Sequence, residues 1–282
     1  MFPRLSNSWS LVKASAGVLS ADKELMLFPV VSAVLSVLVL VTFAVPAVLA
    51  GLFDANTLRD SDFPVAGYVV GFLFYVVQYF VIFFCNTALV GAALIRLRGG
   101  DPTVADGFKI AISRVKPILG YALIAATVGM ALRMISERSG VLGRFIVSLV
   151  GLAWNVATFL VVPVLAAEDI GPVDAVKRSS AYLRKTWGEQ IVGNAGMGMV
   201  FGLLGFVTIL VGVALIIGAA MTESAILIGV AVGVLVLALM AISLVSATLG
   251  GIYQAAVYRY AAEGDAGKFF SASMVQEAFR TK

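Results

Sequence analysis

The chain has no histidine and a single cysteine, Cys85, in 282 residues. The first absence excludes imidazole metal sites and every Ser/His or Cys/His nucleophile pair. The second excludes an intrachain disulfide and a metal site built from cysteines. Cys85 lies inside an apolar run and is expected to pack as a small hydrophobe. Charge is scarce as well: Asp, Glu, Lys and Arg make up 13% of the chain, against about one quarter in a soluble domain. There is no phosphate-binding G-x-x-x-x-G-K-[ST] loop and no G-x-G-x-x-G between a strand and a helix. These gaps lead us to expect no enzyme, no cofactor and no metal. The one cluster that could hold a hard cation, Asp54, Asp60 and Asp62, is expected to be a solvated acidic loop instead.

What fills the chain is apolar. Hydrophobic residues account for 61% of positions and mean hydropathy is +1.02, which places the chain among membrane proteins. Six uncharged runs stand out: Leu25–Phe53, Phe63–Ile95, Pro117–Leu132, Phe145–Ala167, Ile191–Thr222 and Ser224–Tyr258. A hydrocarbon core needs roughly 20 helical residues, so five runs span with residues to spare. The third has 16 residues and spans only if Lys116 and Arg133 reach opposite interfaces. The first is too long for a signal peptide, whose apolar region runs to about 15 residues. No run carries an acid, a base or a histidine, which speaks against a proton relay.

Lys and Arg are distributed unevenly. With the N-terminus inside, 16 of the 20 fall on inner segments and 4 on outer loops. The positive-inside rule then gives six spans with both ends in the cytoplasm. The net charge of +4 is this same bias, so no nucleic-acid partner is expected.

Three inner segments share a pattern. Phe2, Leu5, Trp9, Val12, Ala16 and Leu19 lie on one helical face, with Arg4 and Lys13 off it. In the second segment Asp101-Pro102 offers a cap and a first helical position. Val104, Phe108, Ala111, Ile112 and Val115 then form an apolar stripe opposite Asp106, Lys109, Ser113 and Lys116. In the third, Pro172 opens a helix whose stripe is Val173, Val176, Ser180, Leu183 and Trp187. Asp106-x-x-Lys109 and Asp174-x-x-Lys177 are the same device, an i,i+3 pair. We expect three amphipathic helices on the cytoplasmic surface, each preceding a membrane hairpin. Their basic residues Lys109, Arg114, Lys116, Lys177, Arg178, Arg184 and Lys185 then face anionic lipid head groups.

The expected fold is all-α: one polytopic membrane domain over 1–282. Its parts are an interfacial helix (1–24), a hairpin (25–95), an interfacial helix (96–116), a hairpin (117–167), an interfacial helix (168–190), a hairpin (191–258) and a tail (259–282). Gly67-x-x-x-Gly71 and Gly198-x-x-x-Gly202 are candidate close-packing faces. Gln78, Asn86, Asn155, Asn194 and Gln254 are the strongest polar groups of the spans. They serve either as interhelical hydrogen bonds or as the lining of a pore.

The stretches W-S-L-V-K-A-S and L-S-A-D-K-E-L-M-L-F-P (within Trp9–Pro29), D-G-F-K-I-A-I-S-R (Asp106–Arg114) and P-V-D-A-V-K-R-S-S-A-Y-L-R-K-T-W-G (Pro172–Gly188) resemble a family of uncharacterised bacterial six-span proteins (DUF6159-like). That family is similar in plan to the membrane domain of some glycerophosphodiester phosphodiesterases, whose catalytic domain has no counterpart in these residues. The resemblance implies a bacterial inner-membrane location and supplies no site residues. Two functions fit the sequence. One is a non-enzymatic protein that organises anionic lipid, or a partner, which could be a second copy or another membrane protein. The other is a channel or facilitator for a small solute.

Overall fold

The computed structural model describes residues 2–51, 65–187, 196–271, 273 and 275. Side chains are described for these except 2–8, 65, 66, 187, 196, 197 and 199. Asn194, the loop 54–63 and the side chains of Phe2, Leu5 and Trp187 therefore lie outside the described residues.

Every described element is helical, and the expected all-α class holds. The helices are α1 (Phe2–Ala21), α2 (Leu27–Leu49), α3 (Val65–Leu97), α4 (Val104–Ser113), α5 (Val115–Arg138), α6 (Val141–Ala157), α7 (Val161–Ala167), α8 (Pro172–Trp187), α9 (Gly196–Ala220) and α10 (Ala225–Glu263), with a 3-10 turn at Lys23–Met26. Six stretches are long and apolar enough to cross a membrane: Lys23–Leu49, Gly67–Leu97, Val115–Arg138, Val141–Ala167, Val200–Ala220 and Ala225–Glu263. They answer one for one to the six runs, and the chain is a multi-pass membrane protein. The 16-residue third run sits in a 24-residue helix. Lys116 and Arg133 are both inside that helix.

The chain divides into two compact units: 1–26 with 93–101 and 186–282, and 27–92 with 102–185. In the first, α1 packs along α9 and α10, which are joined by the tight turn Met221–Ser224. Glu223 takes a positive φ of 54° there. The face α1 buries is Leu11, Val12, Ser15 and Val18, with Asp22 just beyond its end. Of the expected stripe Val12 is buried and Ala16 and Leu19 are half-buried, so the packed face is centred about one position toward the N-terminus. Trp9 is 51% exposed, with the Lys13 ammonium 5.9 Å from its ring centre. The reason is that α1 meets other helices and not only lipid. Small Ser15 lets backbones approach, and the bulky indole is left outside. Asp22 pairs with Arg96 at 3.4 Å.

The last turns of α10 are buried from Thr248 to Tyr258 except for half-buried Gly250, Tyr253 and Gln254. Gly264, at φ 76°, ends the helix in the left-handed conformation that glycine adopts without strain. Past it the chain folds back. Arg259 binds Glu263, Asp265 and the Leu97 carbonyl, while Ala266, Phe270 and Val275 are buried.

In the second unit the N-cap of α4 is Thr103, not Asp101. Thr103 is three residues before Asp106, so the two form a reciprocal capping box that satisfies two backbone N–H groups. Pro102 is buried just ahead of it. The Thr103 hydroxyl and N–H hold the Asp106 carboxyl below the usual carboxylate range. On α4 the buried positions are Gly107 and Ala111, whereas Ile112 is 62% exposed. A Cβ at Gly107 would lie 2.7 Å from the Ala88 carbonyl oxygen, and one at Gly91 would lie 2.9 Å from Ile110. The helix α4 is thus pressed into the buried end of α3, and Phe108 meets Phe28 and Phe84.

The helix α8 follows the same rule. Ala175, Ser179 and Leu183 are buried, and Val173, expected on the apolar stripe, is 55% exposed. The shared Lys13, Lys109 and Lys177 fix the register. Two positions before each lysine stand Leu11, Gly107 and Ala175, and two after stand Ser15, Ala111 and Ser179. All six are buried. The three connecting helices therefore repeat in packing as well as in sequence.

Span four is not one helix. Thr158–Leu160 breaks it between α6 and α7. Pro163 is the cause: it lacks an N–H, and its ring would collide with the Phe159 carbonyl four residues back in a continuous helix. In the first turn of α7 it causes no loss.

Candidate functional site

The helix break and α8 form one polar assembly. Val161 N–H turns to the Thr158 carbonyl at 3.0 Å and Phe159 N–H to the Val156 carbonyl at 3.1 Å. This frees the Ala157 carbonyl and the Leu160 N–H. One side chain takes both: the Ser179 hydroxyl donates to Ala157 O at 2.7 Å, and its oxygen accepts from Leu160 N–H at 3.0 Å. Buried backbone groups left unpaired inside a span are costly, so Ser179 makes the break sustainable.

Just beyond α7, Glu168 accepts from Arg178 at 2.9 Å and from the Tyr182 hydroxyl at 2.8 Å. Arg178 also stacks over the Tyr182 ring at 5.5 Å. Burial raises the Tyr182 pKa, and the neighbouring Glu168 carboxylate adds to the rise. Asp169 binds Arg114, and a Cβ at Gly120 would come within 2.7 Å of the Pro172 ring. These contacts fix the start and the middle of α8.

The seven basic residues separate into two kinds. Lys109 pairs with Asp106 at 3.6 Å, Lys177 with Asp174 at 3.4 Å, Arg114 with Asp169 and Arg178 with Glu168. Lys116, Arg184 and Lys185 have no acidic partner among the described residues. Arg184 and Lys185 are exposed and border an open depression of about 560 Å³ with Val176, Lys177, Ser180 and Ala181. Its wall is thus part apolar, part hydroxyl and part cationic.

A family of unknown function, DUF6159, matches over residues 65–269. The chain belongs to that family. No curated protein and no solved structure matches it. The matched region begins with α3 and takes in both the break and the α8 depression.

The other sequence-selected residues fall apart. Gln78 and Asn86 are half-buried on α3, Gln254 is half-buried on α10, and Asn155 is exposed on α6. No hydrogen bond joins any two of them among the described residues. The Gln78 Oε1 is buried without a donor among the described residues. A Cβ at Gly198, Gly202 or Gly71 would meet no atom within 4 Å among the described residues. The tight glycine contact of the third hairpin is at Gly212, against Leu235. Gly67 lies in α3. Sequence reasoning missed Ser179 and Tyr182, and the pairing of Glu168 with Arg178 and Tyr182. The available signal was Pro163, which marks where a span must release two backbone groups.

Proposed function

We propose that this chain is a non-enzymatic protein of the bacterial inner membrane. It has both termini in the cytoplasm and binds anionic phospholipid head groups at its basic connecting helices, so organising lipid at that face. The observation that carries the reading is the α8 depression. Arg184 and Lys185 have no carboxylate there, and Val176 and Ala181 offer apolar wall beside them. A phosphate fits against the cations and the start of an acyl chain against the wall. A basic side chain at an anionic leaflet gains roughly 1 kcal/mol. The Asp174 carboxylate beside Lys177 offsets part of this, and salt screens it over about 10 Å.

Native mass spectrometry of the purified protein tests the reading. Wild type is expected to retain phosphatidylglycerol or cardiolipin. The Arg184→Gln/Lys185→Gln variant should lose most of it and keep its folding. These two residues are chosen because replacing Arg178 would strand Glu168. Equal retention of anionic lipid in both proteins overturns the proposal and leaves the charges as orientation signals alone.

A further inference from the structure

Span four carries a polar stripe that the described residues of its own unit leave open. Arg144, Ser148, Gly151 and Asn155 stand at offsets 0, 4, 7 and 11 along α6. At 3.6 residues per turn they fall within about 60° of one another. Arg144, Ser148 and Asn155 are exposed. A Cβ at Gly151 would have only Leu132 nearby, at 3.9 Å. Asn155 is 14 residues from the start of the span Val141–Ala167 and 12 from its end, which places it near mid-membrane. Its amide makes no hydrogen bond among the described residues, and of the described span amides it alone is exposed. Phe145, Ile146, Leu149 and Leu152 on the same helix are exposed and apolar.

Lipid tails offer a carboxamide neither donor nor acceptor, and leaving one in hydrocarbon is costly. A protein surface must therefore cover this position. We propose that it is a second copy of this chain, with α6 against α6 and Asn155 opposite Asn155 on a two-fold axis. A carboxamide is its own complement, since it both donates and accepts. A two-fold axis brings the same patch against itself, so one residue type satisfies both sides. Gly151, one turn from Asn155, and Ser148 beyond it remove bulk where two short side chains need close backbones. Arg144 lies about 16 Å along the axis from Asn155, with its Nε turned back to the Ser139 carbonyl at 3.3 Å. The two guanidinium groups are thereby kept from the crossing point.

The test uses the full chain with Cys85→Ser in lipid nanodiscs and detergent. Wild type is expected as a dimer by native mass. Asn155→Leu should move the monomer–dimer equilibrium about threefold for each hydrogen bond lost, roughly tenfold for the reciprocal pair. Asn155→Gln, with the same donors and acceptor, should keep most of the dimer. Separately, Ser148→Cys should cross-link between copies on oxidation, and Val150→Cys, on the opposite side of α6, should not. That arm retains Asn155 and is independent of how the Leu variant folds. A monomeric wild type, an Asn155→Leu equilibrium equal to wild type, or equal cross-linking at both cysteines overturns the proposal.

Discussion

A single hydroxyl, that of Ser179, satisfies two backbone groups at once; its removal strands the Leu160 N–H and leaves the Ala157 carbonyl to the Ser180 hydroxyl, 3.4 Å away. The Leu160 N–H and Ala157 carbonyl sit among buried Leu160, Val161 and Val164, where water cannot replace the lost partner. An unmade buried hydrogen bond costs about 1–3 kcal/mol. Ser179→Ala should therefore destabilise the protein by about 1–3 kcal/mol. Ser180→Ala should cost far less, since the Ser180 hydroxyl mainly bonds its own helix at Val176 O, 3.0 Å away. Thermal unfolding in one detergent compares them, and equal melting temperatures for the two variants would refute the assignment. The sequence pattern placed Ser180 on the apolar stripe and left Ser179 off it. A wheel drawn from apolar residues marks the side that avoids water. It cannot tell which neighbouring serine has a broken helix in front of it. Gly107 and Ala175 escaped for the same reason: they are packed because they are small, and a hydrophobicity stripe is weighted by bulk.

At the scale of the element, prolines were legible in part: Pro102, expected at the first position of α4, stands ahead of its Thr103 N-cap. Pro172 opens α8, as read from the sequence, and Pro117 sits in the first turn of α5, where a missing N–H is harmless. Pro163 does the same for α7 and in doing so splits span four. The consequence for α8 was not legible, because the partner of the break lies 19 residues downstream of Leu160. This coupling can be tested. Pro163→Ala restores an N–H that can reach the Phe159 carbonyl, so α6 and α7 can join into one helix. Ala157 and Leu160 then bond within that helix and no longer need Ser179. Hydrogen exchange should show the amides of 158–160 becoming more protected and those of 175–183 less protected. If α8 keeps its protection while 158–160 gain theirs, apolar packing holds α8 and the serine bridge does not.

For the whole molecule, hydropathy was enough to number the spans, because a lipid-facing helix must be apolar over its full length whatever its neighbours. Orientation needs more than counting. In each unit, the buried and charged parts gather at the same kind of helix end. Ala88–Ala92 in α3 and Val161–Leu165 in α7 are buried C-terminal stretches of even-numbered spans in one unit, and the last turns of α10 are their counterpart in the other. The ion pair Arg114–Asp169 belongs to the former unit and Arg96–Asp22 to the latter. Such pairs are costly in hydrocarbon and belong at a water-facing layer. The charge count assigns these same ends to the cytoplasm. The opposite ends carry the Ser139–Gly140 turn and the Met221–Ser224 turn. Single cysteines in the Cys85→Ser background distinguish the sides, at positions chosen for exposure. Gly140 has no neighbour within 4 Å of an added Cβ, and Thr222, Ser113 and Ser271 are exposed. A membrane-impermeant maleimide added to intact cells should label Gly140→Cys and Thr222→Cys. Ser113→Cys and Ser271→Cys should react only after the membrane is opened. Labelling of Ser113→Cys from outside would invert the topology. It would also move the Arg184/Lys185 depression to the outer face, where the lipid reading no longer has a cytoplasmic leaflet to act on.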